Sequence, residues 1–361
     1  MKKTFYVLIV VLIASCRTDD DVLIDEPLCG EALVTDCDKS RKMPTPDNYQ
    51  LDTIAYILAN SSYEYPSQID QIQFVNESLG FAKTRYFGGD RNELFKTTDG
   101  GVSWELISTE MATDWYVDMH FEDENSGVIV LGDTNELLVT ENGGIDWEVR
   151  SLNGVEGSPF AVSFDESGKL YISSTISNSR CNIYRSSDNG ISWEELYTHN
   201  SQMEEMEVTA GSIYLYSALE LLNISLNGDL LTVVEPVRNV IRDLDILNEN
   251  EWVYQDYPLG LYATKDAGEN WEEISDSITE IIGFDSADKG LFIDVIGFCP
   301  EGDNDEDSEN CAIVSYDSSN EVCKFSAPAY YLRSQISTSQ KVAIGEWFIV
   351  AGGYLVKITE I

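Results

Sequence analysis

The sequence predicts an all-β fold, a seven-bladed β-propeller built from four-stranded antiparallel blades. Three observations lead to this prediction. A short turn motif recurs along the chain, the segments between its copies read as strand pairs, and aromatic residues make up 11% of the 361 residues. Aromatic side chains favour strands, and four strands per repeat of roughly 40 residues are typical of a propeller blade.

The recurring motif is Ser/Thr-x-Asp/Asn-x-Gly-x-x-Trp. Intact copies begin at Thr97, Thr140, Ser186 and Thr264. Decayed copies begin at Ser225, without the tryptophan, and at Ser315, without the glycine as well. The hydroxyl and the Asp/Asn side chain accept backbone N–H groups in a tight turn, and glycine supplies a positive φ. We expect the following motif residues to be structural: Asp99, Trp104, Asn142, Trp147, Asp188, Trp193, Asp266 and Trp271.

The segments around the motif predict the rest of each blade. Residues 72–82 and 117–128 each read as a strand, a turn and a second strand, and residues 92–96 and 135–139 read as third strands that lead into the motif. The copies are roughly 44 residues apart on average, so residues 51–361 hold about seven blades.

The two ends of the predicted propeller favour a closed ring. Residues 345–350 and 354–359 read as the second and third strands of the last blade. Residues 52–58 form a spare strand at the start, which we expect to complete that blade. Such closure removes an open sheet edge.

The motifs resemble the Asp-box hairpins of sialidases, sortilin-type receptors and photosystem II assembly-factor-like propellers. The order of strand, turn, Gly-Phe-Ala, strand and Thr-x-Asp-Gly-Gly is most similar to the last group, over about residues 51–361 with decay after residue 200. The resemblance implies that the boxes are scaffold and that ligands bind at the opposite face. The Arg-Ile-Pro signature of sialidases is absent, so sialidase activity is not expected.

The first fifteen residues predict an export signal. Lys2 and Lys3 precede an apolar run at 5–14, which is too short to span a bilayer. The residues Ile13-Ala14-Ser15-Cys16 resemble the lipobox of bacterial lipoproteins, which implies that Cys16 is lipidated and residues 1–15 are removed. The acidic segment 17–21 resembles the tag of surface-exposed lipoproteins of the Bacteroidetes type. We therefore expect an outer-membrane lipoprotein facing outwards, with a lipid anchor and acidic tether at 16–50 and a propeller at 51–361.

Six cysteines remain after Cys16, and an exported chain permits disulfides. Six cysteines allow fifteen connectivities. Sequence proximity favours Cys29–Cys37 and Cys299–Cys311, which leaves Cys181 and Cys323 either paired or free.

The net charge of the chain limits the classes of partner that it can bind. With 64 acidic and 22 basic residues the net charge is −42, which excludes nucleic acid and disfavours electrostatic docking on an anionic membrane. Two histidines and no Cys-x-x-Cys pair offer little for a zinc site.

In the insertion 299–311, Asp303, Asp305 and Asp307 alternate as oxygen ligands do in calcium loops. The glycine and the final glutamate of such a loop are missing, so a solvated acidic loop is the alternative.

Ligand contacts are expected at the channel mouth, on the face formed by the loops between second and third strands and by the connections between blades. The loop candidates are Arg85, Tyr86, Arg91, Trp115, Asp256 and Tyr257. The innermost strands offer Asp118, His120, Glu204, Arg242 and Asp243. For each residue the alternative is an ordinary polar side chain that lines a water-filled channel. The sequence contains no nucleophile elbow and no dinucleotide or phosphate-loop motif. We therefore expect a binding or assembly scaffold whose partner is an envelope protein or a glycan. The alternative is a glycoside hydrolase or lyase, which would place two carboxylates about 5–9.5 Å apart across the channel.

Overall fold

The computed structural model describes most of the chain from residue 49 onwards. The described residues are 28–29, 49–61, 68–85, 92–108, 116–132, 134–177, 180–235, 237, 240–256, 260–276, 279–295, 311–318, 323–325, 336–343, 346–351 and 354–361. The predicted signal, Cys16, and most of the tether lie outside them.

The described residues form seven antiparallel sheets that follow one another along the chain. Two strands precede the first blade, β1 (Leu28–Cys29) and β2 (Tyr49–Tyr56), and a 3-10 helix spans Ile57–Asn60. Blade one is β3 (Gln68–Phe74), β4 (Gly80–Arg85), β5 (Leu94–Thr97) and β6 (Glu105–Ser108). Blade two is β7 (Tyr116–Phe121), β8 (Gly127–Leu131), β9 (Glu136–Thr140) and β10 (Glu148–Ser151). Blade three is β11 (Ser158–Phe164), β12 (Leu170–Ser177), β13 (Arg180–Ser186) and β14 (Glu194–His199).

The remaining blades continue in the same order. Blade four is β15 (Glu205–Thr209), β16 (Ser212–Tyr216), β17 (Leu221–Ser225) and β18 (Leu230–Val234). Blade five is β19 (Ile241–Ile246), β20 (Trp252–Asp256), β21 (Leu261–Thr264) and β22 (Glu272–Ser275). Blade six is β23 (Thr279–Ser286), β24 (Lys289–Val295), β25 (Cys311–Asp317) and β26 (Cys323–Phe325). Blade seven is β27 (Ile336–Ala343), β28 (Glu346–Ala351) and β29 (Tyr354–Glu360), completed by β2.

The first strand of each blade lies innermost. First strands of neighbouring blades contact one another, from β27 to β3, β3 to β7, β7 to β11, β11 to β15, β19 to β23 and β23 to β27. These strands therefore line a central channel, and the predicted seven-bladed ring is confirmed.

The predicted closure of the ring is also confirmed. Strand β2 pairs antiparallel with β29 from Tyr49 opposite Glu360 to Tyr56 opposite Tyr354, as the fourth strand of blade seven. The strand ends at Tyr56, because Ile57 and Leu58 turn into the 3-10 helix and are buried in the core beside Leu355. Across the same seam, Phe74 stacks on Phe348 with ring centroids 4.3 Å apart.

In the inner strands β15 and β19, buried apolar side chains alternate with side chains on the opposite side of the strand, which faces the channel. In β15, Met206 and Val208 are buried in a core cluster, and in β19, Leu244 and Ile246 are buried in another. The residues between them therefore line the channel. Six of the seven inner strands also carry a register shift, and β15 pairs with β16 without one.

The structure describes some of the cysteines and leaves the two favoured disulfides untested. Cys181 is a buried free thiol, and burial raises its pKa to about 12. Cys37 and Cys299 lie outside the described residues, so both favoured disulfides stay predictions. The backbone of Cys29 is in register with that of Cys323. Within the described ranges, no helix has the length and apolarity needed to cross a membrane.

Candidate binding site in the central channel

The four intact Asp boxes form the turns between third and fourth strands. In the first box, the Thr97 hydroxyl accepts the Gly101 N–H at 2.9 Å and the Asp99 carboxylate accepts the Ser103 N–H at 2.9 Å. The Trp104 indole N–H donates to the Gly101 carbonyl at 2.9 Å, and Trp104 is buried. Gly101 has a φ of 89°, which suits glycine. These contacts satisfy the turn of the first box internally and give that box a structural explanation.

The same hydrogen bonds hold the box carboxylates in their ionised form. In the third box the Ser192 hydroxyl donates to Asp188 at 2.6 Å and the Ser192 N–H donates at 2.8 Å. These bonds lower the pKa of Asp188 to about 2. Similar bonds lower the pKa of Asp99 and of Asp266.

Basic residues, which are scarce in this chain, bridge neighbouring blades. Lys96 of blade one donates to the Gly143 carbonyl in the box of blade two at 2.7 Å. Arg185 of blade three donates to the Leu226 carbonyl in the turn of blade four at 2.7 Å. Lys289 of blade six contacts Glu360 of blade seven at 2.5 Å. These cations therefore stabilise the outer seams of the ring.

Polar side chains on the inner strands join the blades around the channel. Gln73 donates to the Phe121 carbonyl and accepts its N–H, and Gln71 does the same with Met119. Further bonds of this type run from Gln340 to Phe74, from Asp118 to the Val162 N–H at 2.9 Å and from Asp245 to the Phe284 N–H at 2.8 Å. Side chain to backbone bonds thus join blades seven to one, one to two, two to three and five to six.

The inner strand of blade four presents two carboxylates instead. Glu205 and Glu207 alternate with the buried Met206 and Val208 and so face the channel. Within the described part of the chain, neither carboxylate accepts a hydrogen bond. Asp243 and Asp245 occupy the equivalent face of β19 in blade five, and their charges act on Glu207.

Burial and the repulsion between neighbouring carboxylates raise the pKa values of Glu205 and Glu207. Burial raises the pKa of Glu207 to about 8, with further contributions from Asp245 and Asp243. Burial also raises the pKa of Glu205 to about 7, with Asp118, Asp243 and Glu204 adding to the effect. Glu205 is nevertheless exposed, which means that it opens onto the channel while protein surrounds it.

Tyr216 completes the acidic group. It ends β16 directly opposite Glu205. Burial, followed by the charges of Asp243, Glu205 and Glu207, raises the pKa of the phenol well above its ordinary value. The hydroxyl therefore stays protonated and is a hydrogen-bond donor beside the carboxylates. We call Asp118, Glu205, Glu207, Tyr216, Asp243 and Asp245 the acidic channel site.

Three sequence-predicted candidates, Asp118, Asp243 and His120, lie in the channel. Asp118 belongs to the acidic channel site, where burial raises its pKa although it accepts the Val162 and Met119 N–H groups. His120 lies 3.2 Å from the Ser163 hydroxyl through Nδ1, and burial lowers its pKa to about 4. His120 is therefore neutral near neutral pH.

Among the other candidates, Glu204 is exposed next to Glu205 and adds to the rise in its pKa. Arg242 is exposed and lies at the register shift of β19. Asp256 is fully buried and accepts the Val240 N–H at 3.0 Å, which holds the connection into blade five. Arg85 ends β4, and nothing further is described for its side chain. The remaining candidates lie outside the described residues: Tyr86, Arg91, Trp115, Tyr257, Asp303, Asp305 and Asp307.

Sequence reasoning named Glu204 and missed Glu205, Glu207, Asp245 and Tyr216. The signal was present, since Glu205-Met206-Glu207-Val208 alternates acidic and apolar residues as an inner strand does. In the described ranges no group of three or more His, Cys, Asp or Glu side chains is placed to hold a metal ion. The acidic channel site thus has the chemistry of a cation-accepting surface made of carboxylates and one phenol.

The ring and its box hairpins define the class, an Asp-box β-propeller. Residues 61–215 match the family of photosynthesis system II assembly factor YCF48. Over these residues, fewer than half of the 361, the chain resembles that assembly factor.

Solved structures agree on the fold. A structure described as YCF48 bound to D1 peptide is 15% identical, with a TM-score of 0.65 over 88% of this chain and 99% of that chain. A streptogramin B lyase is 9% identical, with a TM-score of 0.60 over 86% and 98%. An ancestral GH74 enzyme is 13% identical, with a TM-score of 0.53 over 78% of this chain and 43% of that one. At these identities the likeness concerns the fold alone, and no curated protein matches the sequence.

Proposed function

We propose that this protein is a lipid-anchored binding or assembly factor of the cell envelope, and that it binds a cationic segment of a polypeptide at the acidic channel site. The observation that carries the proposal is the pair Glu205 and Glu207, which line the channel without a hydrogen bond to any described residue and in the field of Asp243 and Asp245. A lysine or arginine side chain would neutralise this repulsion.

A polypeptide is the ligand class best supported by the comparisons. The matched family is that of an assembly factor, and one of the similar propellers was solved with a peptide bound. The exposure of Glu205 gives a ligand access to the site. Tyr216 would add a hydrogen bond to a backbone carbonyl of the bound segment.

Binding of hexa-arginine, with hexaglutamate as the comparison, tests the channel proposal by titration calorimetry at pH 6. We expect hexa-arginine to bind and to release protons, because a bound cation favours the ionised form of Glu205 and Glu207. The heat should therefore vary with the ionisation enthalpy of the buffer.

Variants locate the binding. Glu205→Gln together with Glu207→Gln should weaken hexa-arginine binding at least about tenfold. Glu166→Gln is the matched control, since Glu166 is an exposed acid in blade three, and it should change little. Equal affinity for the double variant and the wild type would exclude the channel as the binding site.

The membrane anchor is part of the same proposal and has its own test. The lipobox-like residues 13–16 support lipidation of Cys16. Cells expressing the protein should incorporate labelled palmitate into it, and Cys16→Ser should remove both the label and the membrane association. A Cys16→Ser protein that stays in the membrane fraction would contradict the anchor.

Glycoside hydrolysis is the second candidate, because burial and neighbouring carboxylates raise the pKa values of Glu205 and Glu207. One carboxyl held protonated near a second ionised one is the arrangement used by glycosidases. Release of reducing ends from a polysaccharide panel, lost in both Glu205→Gln and Glu207→Gln, would favour hydrolysis over binding.

A further inference from the structure

The fourth strand of a blade is the outer edge of its sheet, and open edges attract further strands. In blades one, two, three and five this strand carries charged residues, as edges that avoid pairing do. These residues are Glu105, Glu148, Arg150, Glu194, Glu195, Glu272 and Glu273.

Strand β18 of blade four breaks the pattern. Its sequence is Leu-Leu-Thr-Val-Val, with no charged residue over 230–234. Leu230, Leu231 and Val233 are 45%, 55% and 49% exposed. Only the inner side of β18 pairs, with β17, among the strands that the structure describes. The edge is therefore apolar, and no other described strand covers it.

Blade six shows that this fold accepts a fifth strand at that position. Leu28 and Cys29 form β1, which pairs antiparallel with the outer strand β26 opposite Lys324 and Cys323. An extended segment can thus add to the outer edge of a blade without disturbing the ring.

The negative charge around β18 favours a partner segment that is positively charged. The strand lies between the exposed acids Asp229 and Glu235, and the whole chain carries −42. A second copy of this chain would be repelled, whereas a segment with basic flanks would be attracted. We propose that β18 is a docking edge that takes an extended apolar segment with basic flanks, from a partner protein, as the fifth strand of blade four.

This surface is separate from the acidic channel site, since β18 is the outermost strand of blade four and Glu207 lies on the innermost. Backbone hydrogen bonds would provide affinity, and the apolar side chains Leu231 and Val233 would provide specificity. The partner could therefore contact blade four at both of its edges.

The test uses the fluorescently labelled peptide Lys-Lys-Val-Thr-Val-Thr-Val-Lys-Lys and fluorescence anisotropy. We expect saturable binding that weakens as salt is added. A peptide with glutamates in place of the lysines should bind at least about tenfold more weakly. Leu231→Lys should also weaken binding of the basic peptide at least about tenfold, because it restores an edge charge. Val149→Lys, the same kind of change on the outer strand of blade two, is the matched control and should bind as the wild type does.

Each of the following three results would overturn the proposal that β18 is a docking edge. If Leu231→Lys binds as the wild type does, β18 is not the docking edge. If Glu207→Gln weakens binding and Leu231→Lys does not, the peptide occupies the channel, which supports the proposed function and not this one. If sedimentation shows a wild-type dimer that Leu231→Lys dissociates, the occupant is a second copy.

Discussion

Gln73 on the innermost strand of blade one holds the backbone of Phe121 on the innermost strand of blade two. Its side-chain amide donates to the Phe121 carbonyl at 2.9 Å and accepts the Phe121 N–H at 2.8 Å. A single side chain thus satisfies both polar groups of one residue across a blade seam, where no strand pairing is available.

We expect Gln73→Leu to lower the free energy of unfolding by about 1–3 kcal/mol, because it leaves the Phe121 N–H and carbonyl without their partner. Urea unfolding followed by tryptophan fluorescence measures the change. Gln202→Leu is the control, since Gln202 is exposed between blades three and four. If the two variants unfold at the same urea concentration, the contact does not stabilise the ring.

The acidic channel site should make stability fall as the pH rises from about 5 to 8. Glu207 has a folded-state pKa of about 8, above its ordinary value, so the folded protein holds a proton that the unfolded chain releases. In this window one such group lowers the free energy of unfolding by at most about 1.4 kcal/mol per pH unit. Glu205 acts in the same direction and contributes less, because it is exposed to solvent.

Glu207→Gln keeps the side chain neutral at every pH and should flatten that slope. The variant should match the wild type near pH 5 and be the more stable protein at pH 8, as measured by thermal or urea unfolding across the range. Glu166→Gln should follow the wild-type profile. A Glu207→Gln protein with the wild-type slope would show that Glu207 titrates normally.

The Asp boxes should contribute unequally to stability. In Thr140→Val the buried Gly144 N–H loses the acceptor that lies 2.9 Å away, so we expect a loss of about 1–3 kcal/mol. Ser225→Ala removes the corresponding hydroxyl from the decayed, exposed turn of blade four, where Asp229 N–H donates at 3.1 Å. Water can replace that contact, and the loss should be smaller. Unfolding midpoints that rank the other way would contradict this account.

Deletion of residues 51–58 should abolish cooperative unfolding. It removes most of β2, the fourth strand of blade seven, together with the buried residues Ile57 and Leu58. Calorimetry should show a broad transition or none. Deleting residues 17–27, which precede both β1 and β2, should leave the transition sharp. A deletion of 51–58 that melts in one sharp transition would contradict closure by β2.

Much of the fold was accessible from the sequence because the Asp box reports local structure. Thr97, Asp99 and Trp104 contact one another within a few residues, so their spacing alone identifies the hairpin and its place in the blade. The closing strand was also predictable, since residues 52–56 had no other blade to join.

The acidic channel site could be predicted only in part from the sequence, because it depends on contacts between blades and not on local contacts. Asp118 is predictable because its strand precedes an intact Asp box, whereas Glu205 and Glu207 lie in blade four, where the box has lost its tryptophan. Their raised pKa values depend on Asp243 and Asp245 of another blade and on burial. Composition reveals the number of acids in a chain but not which of them face each other across a channel.

The pairing of β2 with β29 also orders events during synthesis. Strand β2 is made before any blade, and its partner at 354–360 follows only after all the other blades. The ring therefore cannot be sealed until all the other blades and β29 have been made. A chain that stops before β29 leaves β2 without its partner strand, so the ring closes only when β29 is present.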